Sequence, residues 1–246
     1  MPARRELART QALRELKREL AYGFRMLGRE GLGRGLLAHL TARLPGAETF
    51  WTYQFGQSVE EVRIADLCEA DFGANPVNKR KRVNPTLRIH GLAYAARPDV
   101  LCIAHHHGDN SVAMGAIGAV LQPIDRNAAR WYGDLDVIKD YDNAYRIAEQ
   151  GRAIIAKLGK KKALILKHHG VLVVGRSVRD TVISTIELER AFAVQLKAMA
   201  AGRLQRMPKN EIADAKGFLA SDVYIDGTWN YLRRVLARER LDVGVE

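Results

Sequence analysis

Five of the seven histidines in this chain lie in two short clusters, and each cluster directly follows an apolar run. The clusters are His105–His107 and His168–His169. Because alternate residues of an extended chain point to the same side, His105 and His107 share one face and His106 faces away. Three neutral imidazoles with an open position form a Lewis-acid metal site. One histidine of the second cluster would complete such a set, so the spacing predicts a metal centre.

The predicted metal centre requires strands that end at the clusters and helices that cover those strands. Five short apolar runs predict strands, at residues 39–43, 49–55, 100–104, 163–166 and 171–174. Six longer segments have helical patterns, at residues 6–29, 85–96, 111–120, 143–158, 178–201 and 229–238. Residues 59–67 suggest a short strand or turn, and residues 71–84 a polar, basic loop. This order predicts a three-layer α/β fold, with a mixed sheet between helices.

The composition is that of an ordinary globular protein. The chain has 246 residues, of which 47% are hydrophobic and 27% charged, which excludes collagen-like and disordered classes and predicts a single domain over 1–246. Cys68 and Cys102 lie in apolar segments and are expected to be buried free thiols. The charged start and the lack of a long apolar run argue against secretion or a membrane span. We therefore expect a cytoplasmic protein.

A strong excess of basic residues raises the question of which partner the chain binds. The net charge is +11, from 39 basic and 28 acidic residues, and the densest basic run is 79–82. No zinc-finger or RNA-binding aromatic signature accompanies this run. The charge therefore favours a small anionic substrate over nucleic acid.

Several segments around the histidines resemble the class II aldolase/adducin family over about residues 18–200. They are 89–90, 94–100 (YAARPDV), 102–108 (CIAHHHG), 164–175 (LILKHHGVLVVG) and 187–192. The resemblance implies a divalent metal on His105, His107 and His169, with Zn²⁺ as first choice and Fe²⁺, Mn²⁺ or Co²⁺ as alternatives. It also implies a mainly antiparallel, nine-stranded sheet between helix layers, and a tetramer with active sites at subunit interfaces.

Three departures from the family pattern argue against a standard sugar-phosphate aldolase. Thr86 stands where those aldolases carry their catalytic glutamate, and Asn84-Pro85 stands where they carry a serine pair. His39 replaces an asparagine of the phosphate site. The chain is similar instead to the adducin-like branch, which includes decarboxylases and oxygenases of aromatic substrates.

Further residues are candidates for roles in the site. Tyr132 lies where similar proteins have a proton-donating tyrosine, and His39 could act as a base or a ligand. Asn84, Thr86 and Arg82 are expected to contact the substrate. The resemblance also implies that one glutamate of the helix 178–201 supports a metal-binding histidine, and the sequence does not choose between Glu187 and Glu189. The aromatic side chains of Trp51, Tyr53 and Trp131 lie in segments expected to line the site.

Three functions follow as hypotheses. The first is a metal-dependent lyase that cleaves a C–C bond of a non-phosphorylated hydroxy- or oxo-acid, by retro-aldol cleavage or decarboxylation, through a metal-stabilised enolate. The second is a three-histidine non-heme iron oxygenase acting on an aromatic oxo-acid. The third is a non-catalytic adducin-like scaffold. The intact set of histidines favours an enzyme.

Overall fold

A seven-stranded sheet forms the centre of the computed structural model, which describes residues 2–33, 35–138 and 147–245. The strands are β1 (His39–Ala42), β2 (Thr49–Tyr53), β3 (Leu67–Asp71), β4 (Cys102–His106), β5 (Leu135–Ile138), β6 (Ala163–Leu166) and β7 (Gly170–Gly175). Their order across the sheet is β3-β2-β1-β4-β7-β6-β5. Among the strands of the described ranges, only β5 and β6 pair in parallel. The mixed, mainly antiparallel sheet is confirmed, with seven strands in the described residues rather than the nine that the resemblance implies.

Helices cover both faces of this sheet. They are α1 (Pro2–Arg29), α2 (Arg88–Ala96), α3 (Asp109–Ala116), α4 (Arg126–Ala129), α5 (Ile147–Leu158), α6 (Val178–Ala201), α7 (Lys209–Leu219) and α8 (Asp222–Arg238). One apolar core lies between the sheet and α1, α6 and α8, and a second lies between the sheet and α2 and α5. Successive strand residues alternate between the two cores, as the two-residue period of a strand requires. The predicted three-layer α/β architecture is therefore confirmed.

Some element boundaries differ from the prediction for local reasons. The segment 85–96 begins as a 3₁₀ turn, Pro85–Leu87, before α2 starts. The helix predicted at 111–120 is α3, and it stops before Gly118, whose φ of +63° is not helical. Residues 143–146 of the predicted helix 143–158 lie outside the described residues. Two strands and two helices were not predicted, namely β3, β5, α4 and α7.

The strand pairing gathers the predicted histidines at one end of the sheet. His39 of β1 pairs directly with His105 of β4. On its other side β4 pairs with β7, and the turn that joins β6 to β7 carries His169. Three neighbouring strands or turns of the sheet therefore contribute imidazoles at the same end of the sheet. No helix in the described ranges is long and apolar enough to cross a bilayer.

Candidate metal centre

His105 has its hydrogen-bonding roles fixed by the backbone of the neighbouring strand. Its Nδ1 lies 3.0 Å from the carbonyl oxygen of Val171. Because a carbonyl oxygen only accepts, Nδ1 carries the proton and Nε2 is left with a free lone pair. Burial, followed by the charges of neighbouring histidines, holds the pKa of His105 well below 6.5. His105 is thus a neutral imidazole, and the lone pair on its Nε2 can bind a metal ion.

The rings of His107 and His169 close around this Nε2 atom. The Nε2 atoms of His105 and His107 lie 2.9 Å apart. The ring of His169 stacks on His105, with centroids 5.1 Å apart, and lies 4.3 Å from His107. One potential ligand atom from each of the three lies within 4.8 Å of the other two. Nitrogen ligands of tetrahedral zinc lie about 3.4 Å apart, since each Zn–N bond is about 2.1 Å. The spacing therefore suits one small divalent ion.

Burial keeps the other two histidines of this set neutral as well. Burial lowers the pKa of His107, and burial together with the charge of His107 lowers the pKa of His169 to about 4. Neutral imidazoles bind metals, whereas protonated ones do not. All three side chains are therefore in the required form at neutral pH.

The turn between β6 and β7 depends on two backbone features. His168 is exposed and adopts a left-handed φ of +60°. At Gly170, a Cβ atom would clash with the carbonyl oxygen of His106 and would lie 2.9 Å from Cδ2 of His107. Glycine is required there because β7 approaches β4 too closely for a side chain. This close approach lets His169 reach the other two imidazoles.

His106 faces the opposite core, as strand alternation predicts. Its Nδ1 accepts a hydrogen bond from the backbone N–H of Gly108 at 3.0 Å, and burial holds its pKa at about 3. Its Nε2 therefore carries the proton, and that atom has no partner in the described part of the chain. His106 belongs to the packing between β4 and α6, and it is absent from the cluster of potential ligands.

His39, Asn84 and Thr86 form a hydrogen-bonded group beside the three histidines. The ring of His39 lies 5.6 Å from that of His105. Its Nε2 is 2.8 Å from the amide nitrogen of Asn84, whose Oδ1 accepts from the N–H and the hydroxyl of Thr86 at 3.0 and 2.8 Å. Burial first, then the charges of His107 and His169, lower the pKa of His39 to about 4. The structure thus brings three predicted site residues together.

Arg82 and Tyr132 lie in more open positions. Arg82 is exposed two residues before Asn84, and no acidic side chain in the described ranges pairs with it. The side chain of Tyr132 is 49% exposed, and its backbone carbonyl accepts a hydrogen bond from Nζ of Lys216. Within the described residues of this chain, Tyr132 makes no contact with the histidines. A single chain therefore does not unite all the predicted residues.

The two glutamates of α6 have different partners. Glu189 accepts hydrogen bonds from the backbone N–H groups of Asn110 and Ser111, so it caps the first turn of α3. Glu187 bonds to Arg130 and Tyr224 instead. Neither glutamate bonds to His105, which uses a backbone carbonyl. Sequence reasoning missed that partner because every residue has a carbonyl, so its role leaves no signal in the residue types.

A cavity of about 220 Å³ opens beside His107. Its walls include the glycine-rich stretch Gly31–Gly33, Leu37, the start of α3 at Asp109, and Glu189. The size of this cavity suits a small molecule. It connects the predicted metal centre with the loop that follows α1.

The aromatic residues that were expected to line the site lie elsewhere, so this expectation was wrong. Tyr53 and Trp131 are buried in the core under α1 and α6, and the hydroxyl of Tyr53 donates to the carbonyl of Ala38. Trp51 packs against the same core, with Nζ of Lys17 3.6 Å above its ring. These side chains fill space on the opposite face of the sheet from His105.

Comparisons with known proteins agree with this geometry. The family model "Class II Aldolase and Adducin N-terminal domain" matches residues 18–196. A "Putative aldolase class 2 protein" of Caulobacter vibrioides is 31% identical over 75% of this chain and 73% of its own length. The "Decarboxylase NovR" of Streptomyces niveus is 31% identical over 82% of this chain and 76% of its own length. The "4-hydroxy-3-prenylphenylpyruvate oxygenase/4-hydroxy-3-prenylbenzoate synthase" of Streptomyces roseochromogenus is 31% identical over 82% and 74%.

Solved structures show the same fold. An aldolase II superfamily protein from Pseudomonas syringae superposes with a TM-score of 0.85 at 26% identity, covering 95% of this chain and 96% of that one. The L-fuculose 1-phosphate aldolase of Glaciozyma antarctica superposes with a TM-score of 0.81 at 26% identity, covering 92% and 91%. The similarity therefore extends over nearly the whole chain.

Proposed function

The chain belongs to the class II aldolase and adducin family, and from this premise we propose that it is a divalent-metal-dependent lyase acting on a non-phosphorylated hydroxy- or oxo-acid. The cluster of His105, His107 and His169 carries the proposal. Relatives whose names describe enzymes, including a decarboxylase, support an enzymatic function for this chain over a scaffold function.

The three histidines fit a divalent ion by their chemistry. The Nε2 of His105 has a free lone pair because Nδ1 donates to Val171, and low pKa values keep all three rings neutral. Imidazole suits Zn²⁺ first, and also Fe²⁺, Mn²⁺ and Co²⁺. Bound there, the ion supplies Lewis-acid stabilisation of the negative charge that develops on a substrate oxygen when a C–C bond breaks.

Thr86 favours decarboxylation over retro-aldol cleavage. The glutamate that sugar-phosphate aldolases carry at this position is absent, and the Thr86 hydroxyl is held on Oδ1 of Asn84. A threonine hydroxyl does not act as a carboxylate base. Loss of CO₂ requires no base, because the departing carboxylate is already ionised. After cleavage, the phenol of Tyr132 is proposed to protonate the carbon that remains.

The basic loop favours a carboxylate substrate. Arg82 is exposed and lacks an acidic partner in the described ranges, so it is available to a substrate anion near Asn84. Pro85 has no backbone N–H, so this loop offers fewer donors than a phosphate site requires. We therefore place the substrate carboxylate near Arg82, Asn84 and Thr86.

A homotetramer is part of this proposal. Tyr132 does not contact the histidines of its own chain, which fits a site that is completed between subunits. Apolar side chains are also exposed on the loop after α3 and on α6, namely Ile117, Val120, Val194 and Met199. Light scattering at micromolar concentration is expected to give the mass of a tetramer, and a monomer would contradict it.

The function is tested by turnover of a panel of 2-oxo acids and hydroxy acids by protein loaded with Zn²⁺, Mn²⁺ or Co²⁺. We expect release of CO₂ or of a carbonyl fragment, and loss of activity in His169→Asn. His168→Asn is the matched control, because this adjacent histidine is exposed and outside the ligand cluster. Lack of metal-dependent cleavage of every compound, or better turnover of sugar phosphates, would contradict the proposal.

A three-histidine iron oxygenase is the second candidate. The relative from Streptomyces roseochromogenus whose name includes an oxygenase is as similar to this chain as the decarboxylase. Imidazole ligands suit Fe²⁺ as well as Zn²⁺. Oxygen uptake by the iron-loaded protein, with no cleavage by the zinc-loaded protein, would favour this candidate.

A further inference from the structure

The orientation of the Asn84 side chain is fixed by a donor that cannot rotate. The backbone N–H of Thr86 lies 3.0 Å from Oδ1 of Asn84. In the flipped amide, the NH₂ group of Asn84 would face this N–H, and two donors would meet. The assignment of amide oxygen and nitrogen therefore follows from the hydrogen-bond network. Oδ1 faces Thr86, and the NH₂ group faces His39.

This orientation also determines the position of the proton on His39. The NH₂ group of Asn84 lies 2.8 Å from Nε2 of His39, and an NH₂ group only donates. Nε2 must therefore accept, so it carries no proton and its lone pair is engaged. The neutral ring keeps its proton on Nδ1. Within the described residues, no hydrogen bond is formed by this Nδ1–H group.

His39 lies next to the predicted metal centre. It is 7% exposed, and it pairs across the sheet with His105. Its ring centroid lies 5.6 Å from that of His105 and 6.0 Å from that of His90. A single donor with no acceptor in the described part of the chain, beside the predicted metal ligand His105, is suited to an oxygen of a bound molecule.

We propose that His39 donates a hydrogen bond through Nδ1 to an oxygen of the substrate, and that Asn84 and Thr86 are positioning residues that hold the ring in this tautomer. The substrate part of this inference rests on the proposed function. His39 then acts neither as a metal ligand through Nε2 nor as a base. Its N–H stabilises negative charge that develops on the substrate oxygen during cleavage.

The tautomer is measured by ¹⁵N NMR of histidine-labelled, zinc-loaded protein at neutral pH. His39→Asn identifies the His39 signals by their loss. We expect Nδ1 to be protonated and Nε2 to be unprotonated. In Asn84→Asp the carboxylate only accepts, so the proton should move to Nε2. Thr86→Val keeps the backbone N–H and should leave the wild-type tautomer unchanged. A wild-type ring protonated on Nε2, or a reversal in Thr86→Val, would overturn the inference.

The donor role is tested with oxalate, a small chelating dianion, by calorimetry on the zinc-loaded protein. His39→Leu removes the donor, and about tenfold weaker binding is expected for the loss of one hydrogen bond to a charged oxygen. His39→Asn places an amide NH₂ near the position of Nδ1, so its affinity should stay within about threefold of wild type. Equal affinities of wild type and His39→Leu, or equal losses in both variants, would contradict donation by Nδ1. Neither experiment uses turnover, so each can fail independently of the lyase assignment.

Discussion

The arginine cluster around Arg130 and the histidine cluster around His105 both consist of buried and partly buried side chains, but only the first pairs opposite charges. Arg130 lies 2.8 Å from Asp180 and 3.3 Å from Glu187, and it also donates to the hydroxyl of Ser184 and the carbonyl of Leu219. Every charge in this arginine cluster therefore has a partner. It joins α6 to the end of α7, so its role is structural.

The histidine cluster consists of His39, His105, His107 and His169, and lowered pKa values keep all four imidazoles neutral. Two Nε2 atoms face each other at 2.9 Å, and no carboxylate belongs to the described group of ligand atoms. Neutral imidazoles that converge with no carboxylate among them are typical of a metal site. The pairing of opposite charges therefore indicates that the arginine cluster serves stability, whereas the chemistry of the histidine cluster indicates a site for a ligand.

Removal of a metal-binding imidazole should have the largest effect on the histidine cluster. His105→Ala, His107→Ala and His169→Ala are each expected to lower zinc affinity by more than about 100-fold, because even residues that only support metal ligands contribute 10- to 100-fold. His106→Ala should keep one equivalent, since His106 faces the other core. Metal analysis after gel filtration is the measurement. Stoichiometric zinc in any of the first three variants would break the assignment.

Removal of the cation from the arginine cluster should instead lower stability. Arg130→Met leaves the buried Glu187 and the partly buried Asp180 without this cation, although Arg176 still lies 3.9 Å from Asp180. The expected cost is about 3 kcal/mol in the free energy of unfolding. Zinc stoichiometry of the folded variant should be unchanged. Urea unfolding followed by circular dichroism measures the loss. A cost below about 1 kcal/mol would mean that this cluster is not structural.

A buried histidine outside the ligand set should make stability depend on pH. Burial, followed by the charge of His39, holds the pKa of His90 well below 6.5, and its Nδ1 lies 2.9 Å from the hydroxyl of Thr41. The unfolded chain binds this proton below pH 6.5 and the folded chain does not, so stability falls as the pH falls. Between pH 7 and 5 this contribution is up to about 2 kcal/mol.

His90→Asn is the variant that isolates this effect. Asparagine keeps a polar group for Thr41 but does not titrate, so the zinc-free variant should lose less stability than zinc-free wild type between pH 7 and 5. The other histidines are present in both proteins, so most of their contribution cancels in the difference. Parallel pH profiles of the two proteins would show that His90 does not contribute.

The smallest effect is expected in the turn before His169. His168 has a φ of +60°, which costs a residue with a Cβ about 1–2 kcal/mol, whereas glycine adopts it freely but loses more entropy on folding. His168→Gly should therefore be more stable by about 0.5 kcal/mol, with unchanged zinc affinity. Thermal unfolding measures the gain. A loss of zinc would assign His168 to the site.

The strands that carry the histidines could be predicted because their apolar runs are short and bounded by polar residues. β3 could not be predicted, because Glu69 and Asp71 interrupt its apolar pattern. Its pairing with β2 stabilises it as a strand instead. α7 contains only a few apolar residues among charged ones, and these pack on α4, which is distant in sequence. Such elements depend on tertiary contacts that local patterns do not contain.

Part of the candidate site could also be predicted from the sequence. Alternation separated His106 from His105, and His169 of the second cluster lies in the same group of potential ligands as His105 and His107. The sequence could not show that Asn84 would bond to His39, because this contact depends on how the loop after β3 returns to β1. The prediction for the aromatic residues was wrong because the sequence pattern does not show which segments pack in the core. Trp131, for example, is buried there.

X-ray absorption at the zinc edge of the loaded protein tests the central claim most directly. The account predicts three imidazole nitrogens at about 2.0–2.1 Å, with the remaining positions taken by oxygen ligands. A fourth imidazole would show that His39 is a ligand rather than a donor. A sulfur ligand, or zinc without ordered nitrogen neighbours, would contradict a metal centre built from His105, His107 and His169.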